Sequence, residues 1–215
     1  MAKPNVVTKE SLLEAANECL VENGMQGFTL RAVAKYADVT QGTVYYHFRT
    51  KEQLLVDMAT HMKEMSLTHL EEKNYLDTVI QVKKSNEKKA TFHYKLILML
   101  TVIGFDYPEI LEEMNVVSKE QAKNIKRHMV EQWDESPIAH ISDDLWGVLI
   151  QSLIDGLAYR AVQSDEYTIG ELFRAANELL TYISEAKVSE ASEEESSDEG
   201  SRPMFGLPKK NNLFY

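Results

Sequence analysis

Residues 28–54 read FTLRAVAKYADVTQGTVYYHFRTKEQL, and this stretch decides the fold of the first part of the chain. Thr29, Thr40 and Thr50 each precede a helical apolar pattern, where the threonine hydroxyl can accept a hydrogen bond from a free amide of the first turn. Gln53 follows Thr50 by three residues, which is the spacing of a capping box. The stretch therefore predicts two short helices and the start of a third.

The two short helices each divide into an apolar and a polar face. The apolar residues recur at spacings of three and four and predict an inward face: Leu30, Val33, Ala34 and Ala37 on the first helix, Val44 and Phe48 on the second. The other residues at the start of the second helix point outward: Gln41, Gly42, Thr43, Tyr45, Tyr46 and His47. Asp38, between the helices, enters the left-handed conformation of a tight turn at low cost. This pattern is typical of a helix-turn-helix, whose second helix meets base edges in the major groove.

Residues 8–58 resemble the DNA-binding domain of the TetR family of bacterial transcriptional regulators. The segment from Thr40 to Leu54 carries the resemblance, because it matches that family's signature at Gly42, Tyr45, Phe48, Lys51, Glu52 and Leu54. Asp38 is a departure, since the family most often has glycine there. The resemblance implies an all-α fold, in which an N-terminal three-helix helix-turn-helix DNA-binding domain is joined to a larger helical ligand-binding and dimerisation bundle.

The resemblance also implies which side chains contact DNA. Positions that usually contact phosphates correspond to Thr29, Tyr45, Tyr46, His47 and Lys51, and positions that reach bases correspond to Arg31, Gln41, Gly42 and Thr43. Thr40, at the start of the second short helix, belongs to the same predicted set. Arginine can pair with guanine, glutamine with adenine, and a threonine methyl with the thymine methyl. Lys51 and the free amides after Thr50 form an anion site at a helix start.

Simpler structural roles compete with these assignments. Arg31 and Lys35 could be ordinary solvated charges, and Tyr45 could be a core aromatic. His47 could serve only local packing. Gly42 could allow the two short helices to pack closely rather than let the backbone approach DNA.

Composition limits the remaining possibilities. The chain has 215 residues and 44% hydrophobic content. This is enough for a small DNA-binding domain, residues 1–50, which we call the head, and a larger helical domain, residues 51–187, which we call the body. The single cysteine, Cys19, can form no internal disulfide, so we expect a reducing, cytoplasmic environment. The longest apolar run, residues 96–105, is about half of what a bilayer requires, and the chain does not start with an apolar signal segment.

The net charge of the head differs from that of the whole chain. The whole chain has a net charge of −11, whereas residues 1–60 contain six Lys and Arg and seven Asp and Glu, a net charge of −1. Four of those six basic residues lie between residues 31 and 51. We therefore expect a local positive surface with weak non-specific DNA binding.

The rest of the chain has a helical apolar pattern without strand alternation. A first helix over about Lys9–Asn23, ended by Gly24, should support the head. Further helices are predicted at 51–70, 74–87, 91–104, 108–133, 143–163 and 169–187, with a capping box at Thr168 and Glu171. The predicted domains are residues 1–50, residues 51–187 and an acidic tail of residues 188–215.

The helices at 143–163 and 169–187 are candidates for a dimer interface. The first is apolar around much of its circumference, at Trp146, Val148, Leu149, Ile150, Leu153, Ile154, Gly156, Leu157, Ala158 and Ala161, which predicts cover on two sides. The resemblance implies that both helices pair with their symmetry mates. The alternative is that they only close the core of one protomer. A two-fold axis would set the reading helices about 34–36 Å apart and predicts a palindromic operator.

The resemblance further implies a small-molecule effector that enters the bundle core and releases the operator. Candidate lining residues are the aromatic, methionine and polar side chains of the middle helices: Phe92, His93, Met99, Phe105, Tyr107, Met114, Trp133, Trp146 and Gln151, with Asp155 and Arg160 nearby. Ordinary core packing or surface solvation is the competing explanation for each.

No catalytic motif appears in the sequence. The six histidines are scattered, and the chain lacks a cysteine pair, a His-Glu-x-x-His motif and a phosphate-binding glycine loop. We therefore expect neither an enzyme nor a metal or cofactor site. Residues 188–215 have the composition of a disordered tail, whose apolar and basic end, residues 204–215, could dock on the body or on a partner.

Together these patterns predict a homodimeric transcriptional regulator, most simply a repressor that a small ligand releases from its operator. An activator or a ligand-independent regulator is an alternative within the same class. A helical protein-interaction module that has lost DNA binding is the alternative from another class. The presence of Arg31, Gln41, Tyr45 and Lys51 favours a chain that still binds DNA.

Overall fold

The computed structural model describes residues 7–72, 83–133 and 140–194. Within these ranges the chain forms eight α-helices and no strand. The helices are α1 (Lys9–Gly27), α2 (Leu30–Tyr36), α3 (Gln41–His47), α4 (Lys51–Glu72), α5 (Glu87–Gly104), α6 (Pro108–Trp133), α7 (Asp143–Gln163) and α8 (Ile169–Glu194). A 3₁₀ turn, Lys84–Asn86, precedes α5. In these parts of the chain, none of the helices has the length and apolar character needed to cross a membrane.

Local hydrogen bonds start the helices of the head. The hydroxyls of Thr29, Thr40 and Thr50 each accept a hydrogen bond, at 3.0–3.2 Å, from the backbone amide three residues later, which confirms the three predicted caps. At Thr50 only the first of the two bonds of the predicted box is formed, from the Gln53 backbone amide to the Thr50 hydroxyl. The side-chain nitrogen of Gln53 donates to Asp57 at 3.0 Å, one helical turn further on.

Two residues outside the usual helical conformation set the turns of the head. Gly24 has φ of +65° and ψ of −179°, so the regular geometry of α1 is interrupted where the sequence predicts its end. Asp38 has φ of +51°, which is the left-handed conformation predicted for the turn between α2 and α3. The tight turn lets Val44 and Phe48 of the following segment pack inward, and both are fully buried.

The predicted boundaries of three other helices need correction. Residues 83–87 do not continue a helix that ends at residue 87, because Lys83 is extended, Lys84–Asn86 is a 3₁₀ turn and α5 already begins at Glu87. Residues 74–82 of the predicted helix 74–87 lie outside the described part. The helix predicted to end at residue 70 runs to Glu72, and α8 continues to Glu194.

The extension of α8 makes residues 188–194 helical rather than part of a disordered tail. These residues read VSEASEE, and alanine and glutamate are good helix formers. Once a helix has been nucleated, each added residue needs only one further hydrogen bond, so an acidic composition does not stop it. Residues 195–215, which include the predicted docking segment 204–215, lie outside the described part.

The buried apolar side chains form two clusters. The first core cluster starts in α1–α3 and continues through α4 into α5 and α6; its members include Leu12, Phe28, Val44, Phe48, Leu54, Met58, Leu100, Ile110 and Met114. The second core cluster joins α5 to α8; its members include Tyr94, Ile125, Trp146, Ile150, Ile154, Ile169 and Phe173. The apolar core therefore continues past residue 50, since α4 belongs both to the head and to the body.

Polar contacts and close backbone packing tie the body together. Glu113 of α6 binds Lys63 of α4 at 2.5 Å, and Lys126 of α6 binds Asp144 of α7 at 2.7 Å. A Cβ atom on Gly147 would lie 2.5 Å from the carbonyl oxygen of Ala122, so α6 and α7 can cross this closely only because position 147 is glycine. These contacts fix α6 against both of its neighbours.

The start of α8 has the capping box that the sequence predicts. The backbone amide of Thr168 donates to Glu171 at 2.8 Å, and the amide of Glu171 donates to the Thr168 hydroxyl at 3.2 Å. The hydrogen bond from the Thr168 amide lowers the pKa of the Glu171 carboxyl below its ordinary value. Glu87, at the start of α5, also contacts Thr168 and Gly170, so the starts of α5 and α8 are held together.

Candidate nucleic-acid interface

We call the outward side chains of α3, together with Arg31 of α2, the reading surface: Arg31, Gln41, Gly42, Thr43, Tyr45, Tyr46 and His47. Tyr46 is 82% exposed and Tyr45 is 56% exposed, so the core role considered for Tyr45 is excluded. The ring of His47 meets that of Tyr46 edge to face, with 5.3 Å between the ring centroids. Two large aromatic side chains in water are available to a partner.

Threonine hydroxyls hold the start of α3 in place. The hydroxyl of Thr40 accepts from the Thr43 amide at 3.2 Å and lies 3.0 Å from the Thr43 hydroxyl. Thr40 and Thr43 therefore restrain each other, and the methyl group of Thr43 is left as its distinct recognition element. Gln41 is exposed beside them and can present its amide to a base edge.

Gly42 lies on the reading surface in an open setting. A Cβ atom there would have only the Thr40 hydroxyl oxygen within 4 Å, at 3.6 Å, which is an ordinary contact. Close packing of α2 against α3 therefore does not require glycine at this position. The geometry therefore favours the other explanation, in which glycine lets an outside molecule approach the backbone.

The charges of the head separate into two surfaces. Arg31, Lys35 and Arg49 are exposed on and next to α2 and α3, whereas Glu14 and Glu18 are exposed on α1. Because Glu14 and Glu18 belong to a different helix from these basic side chains, a net charge near zero for the head is compatible with a more positive surface around α3.

Lys51 has a structural contact that the sequence does not predict. Its ammonium group donates to the backbone carbonyl of Met25 at 2.9 Å and lies 5.7 Å from the centre of the Phe28 ring. It therefore joins the start of α4 to the end of α1. An ammonium group has three donors, so this contact leaves others for a phosphate.

Further residues support the reading surface without belonging to it. Lys9 pairs with Asp57 at 2.8 Å and lies 5.7 Å from the centre of the Phe48 ring. The Tyr36 hydroxyl donates to Glu22 at 2.7 Å and accepts from Asn23 at 2.8 Å, which ties α2 to α1. The hydrogen bond to the Glu22 carboxylate raises the pKa of Tyr36.

Sequence reasoning missed these supports because they join residues far apart in the chain. The exception is the start of α1, where Thr8 and Ser11 form a reciprocal capping pair. Their spacing of three residues is a local signal that could have identified the helix start.

The predicted effector-lining residues do not form one site. Met114 is buried in the first core cluster, which Phe92, Met99 and Tyr107 border, whereas Trp146 is buried in the second. Gln151 is buried on α7. The side chain of Trp133, at the end of α6, lies outside the described part.

Phe105 and His93 differ from the other candidates. Phe105 is 73% exposed and lies just past the end of α5, so its predicted place inside the bundle is wrong for this protomer. His93 is solvent accessible, but desolvation by the surrounding protein lowers the pKa of its ring, and the nearby His69 lowers it further.

A second outward surface runs along α7 and α8, and we call it the apolar stripe. Its exposed members are Leu145, Val148, Leu149, Gly156 and Tyr159 on α7 and Leu179 and Tyr182 on α8. The buried residues Ile150 and Ile154 lie on the other side of α7. This helix therefore has two apolar faces, and only one of them is covered within the protomer.

Among the described residues, no group of three or more His, Cys, Asp and Glu side chains is placed to hold a metal ion.

Comparison with known proteins adds relatives of the head and of the body. The family described as "Bacterial regulatory proteins, tetR family" matches residues 12–58. The HTH-type transcriptional regulator UidR of Escherichia coli (strain K12) is 25% identical over 107 residues, which cover 48% of this chain and 55% of the relative. The Fatty acid metabolism regulator protein of Bacillus subtilis (strain 168) is 25% identical over 169 residues, or 79% of this chain and 75% of the relative. The chain thus spans about half the length of UidR.

Among solved structures, a transcriptional regulator from Rhodococcus sp. Rha1 superposes with a TM-score of 0.66 at 19% identity, over 82% of this chain and 96% of the other. At this identity the likeness concerns the fold. The fold and the reading surface define a helix-turn-helix domain. Residues 12–58 match the model of the TetR family, so this part of the chain has the helix-turn-helix of that family.

Proposed function

We propose that this protein is a dimeric transcriptional regulator that binds a palindromic operator and is released from it by a small molecule. The observation that carries the proposal is the reading surface, in which polar and aromatic side chains project from the start of α3 while Val44 and Phe48 anchor the same segment in the core. A short helix held rigidly with its first turn exposed suits the major groove.

Each side chain of the reading surface has a proposed role. Arg31, Gln41, Gly42 and Thr43 reach the bases. Phosphates are contacted by Thr29, Thr40, Tyr45, Tyr46, His47 and Lys51. The contact between Lys51 and Met25 supports this division, because it fixes the ammonium group at the start of α4, where free backbone amides also favour an anion.

The proposed dimer forms through the apolar stripe. Leu149, Leu179 and Tyr182 are exposed in the protomer, and burying such side chains favours association. A Cβ atom at Gly156 would have no atom within 4 Å, so this position needs no glycine for packing within the protomer. Glycine there would allow a helix of the second protomer to approach closely.

The continuity of the first core cluster supports release by a ligand. Leu54 and Met58 of α4 pack in the same cluster as Leu100 of α5 and Met114 of α6. A ligand that shifts α5 or α6 would therefore move α4 and the head with it. If the ligand binds the released form about a thousandfold better, it shifts the equilibrium by about 4 kcal/mol.

A mobility-shift assay with DNA upstream of the protein's own gene tests the proposal. We expect a discrete complex that competes poorly with unrelated DNA, and a footprint with two-fold symmetry. A double variant, Gln41→Ala with Tyr46→Ala, should lose the complex, whereas a control change at the exposed Gln163 should not. If the unaltered protein binds no fragment, the protein-interaction alternative replaces this proposal.

A further inference from the structure

Two polar atoms in the core of the body lack partners. Gln151 is 3% exposed and Trp146 is 8% exposed, and both lie on the buried face of α7. Neither Oε1 of Gln151 nor Nε1 of Trp146 has a hydrogen-bond partner in the described structure. A buried polar atom without a partner costs about 1–3 kcal/mol, so a native structure that keeps two of them needs an explanation.

Of the two unpaired atoms, one is a hydrogen-bond acceptor and the other is a donor. The Gln151 amide nitrogen donates to Gln121 at 3.2 Å and to Asp155 at 2.8 Å, which uses both of its hydrogens. Only the carbonyl oxygen of Gln151 remains, and it can only accept. The indole N–H of Trp146 can only donate. The core thus offers one acceptor and one donor, on residues that lie about 7.5 Å apart along the helix axis and about 140° apart around it.

The helix that carries both atoms is firmly placed. Gly147 packs α7 against the Ala122 carbonyl of α6, and the Gln151–Gln121 hydrogen bond joins the same two helices. The free atoms therefore cannot easily turn toward water. They have to be satisfied by something that enters the core.

The surroundings disfavour a charged ligand. Among the described residues, the buried polar side chains are the neutral amides Gln121, Asn124 and Gln151. An ion taken into such a core would lose its hydration, and the nearby Asp155 carboxylate, which is bound to Gln151, could balance only a positive charge.

We infer that the effector is a neutral, elongated molecule with an apolar body, which donates a hydrogen bond to Gln151 and accepts one from Trp146. This assignment rests on the proposed function, in which a ligand enters the bundle. It adds the chemical class of that ligand and the two side chains that select it. The apolar body would lie across Ile150, between the two polar atoms.

Four eight-carbon probes distinguish this class from others: 1,8-octanediol, 1-octanol, octanedioate and 1,8-diaminooctane. Isothermal titration calorimetry of the full chain at pH 7.5 should show the tightest binding for the diol, because each hydroxyl can donate or accept. Octanol should bind about three- to tenfold more weakly, since it lacks one hydrogen bond. The dianion and the dication should bind at least about tenfold more weakly than the diol.

Variants assign the effect to the two side chains. Gln151→Leu and Trp146→Phe should each lower the affinity for the diol about three- to tenfold, to that for octanol. Gln163→Leu, a change at an exposed glutamine of the same helix, should leave it unchanged.

Three outcomes would overturn the inference. A charged probe could bind best, the diol could bind equally to Gln151→Leu and Gln163→Leu, or no probe could bind although the operator complex forms. The last result would mean that water alone satisfies the two atoms. Operator binding without any probe is measured in parallel, so a failure of the DNA-binding proposal is distinguishable from a failure of this one.

Discussion

The head and the body distribute polar and apolar groups in opposite ways. In the head, Val33, Val44 and Phe48 are buried and the capping threonines lie at the surface. In the body, the amides of Gln121 and Gln151 are buried, while Leu149 and Leu179 are exposed. A buried amide and an exposed leucine are each unfavourable in an isolated protomer. The difference supports the two partners proposed for the body, which are a second chain on the apolar stripe and a ligand in the core.

The largest effect should come from removing the anchor of the reading surface. Phe48→Ala should lower the free energy of unfolding by about 3–5 kcal/mol, because it empties a fully buried site. Tyr46→Ala, two residues earlier, should change that free energy by less than about 0.5 kcal/mol and still weaken DNA binding. Urea denaturation with a parallel mobility-shift titration checks both. Equal stability losses would remove the distinction between anchor and surface.

The next largest effect concerns the apolar stripe. Leu179→Asp should convert the dimer to a folded monomer and weaken operator binding at least about a hundredfold, since two linked heads bind far better than one. Sedimentation velocity measures the oligomeric state. Val102→Asp, at a similarly exposed apolar residue of α5, serves as the control. A dimer that tolerates the charge at Leu179 would place the interface elsewhere.

A smaller effect is expected at a single base pair. Gln41→Ala should relax base preference at one position of each half-site, at a cost of about 1–3 kcal/mol. Binding to a library of operator variants measures this preference, with Gln163→Ala as the control. A uniform loss across all sequences would show that Gln41 contacts the backbone instead.

Lys51 tests whether one side chain serves both structure and binding. Lys51→Met should lower the free energy of unfolding by about 1–2 kcal/mol, because it removes the partly exposed hydrogen bond to Met25. It should also reduce the slope of log K for DNA binding against log salt concentration by about one. Lys35→Met, at an exposed lysine of α2, should leave stability unchanged. Thermal melts and salt titrations of both variants provide the comparison. An unchanged salt dependence in Lys51→Met would restrict this residue to its contact with Met25.

The smallest effect is a pH dependence at the start of α8. The pKa of Glu171 is lowered from 4.5, so its capping bond stabilises the folded protein above that pH and is lost as the pH falls through the lowered pKa. Glu171→Ala should therefore melt below the unaltered chain at pH 7, and the difference should disappear in acid. The exposed Glu178, changed to alanine, provides the baseline. A difference that persists at pH 3 would contradict the ionised cap.

The head could be predicted from the sequence because its signals are local. Thr29 and Thr40 bond to amides three residues away, and the turn at Asp38 is set by one residue. In the body the important contacts join distant residues, such as Gln151 with Gln121 or Lys63 with Glu113. Periodicity located α7 correctly, but it could not separate the covered apolar face from the exposed one. The same limit explains the wrong placement of Phe105, whose exposure depends on where α5 ends.

The central claim is that two reading surfaces, held apart by one dimer, bind one operator. Sedimentation of the full chain with a duplex from the DNA upstream of its own gene tests it most directly. The account predicts two chains on each duplex, and at least about a hundredfold weaker binding to a duplex that carries one half-site. A single chain on each duplex, with equal affinity for the whole site and the half-site, would contradict it.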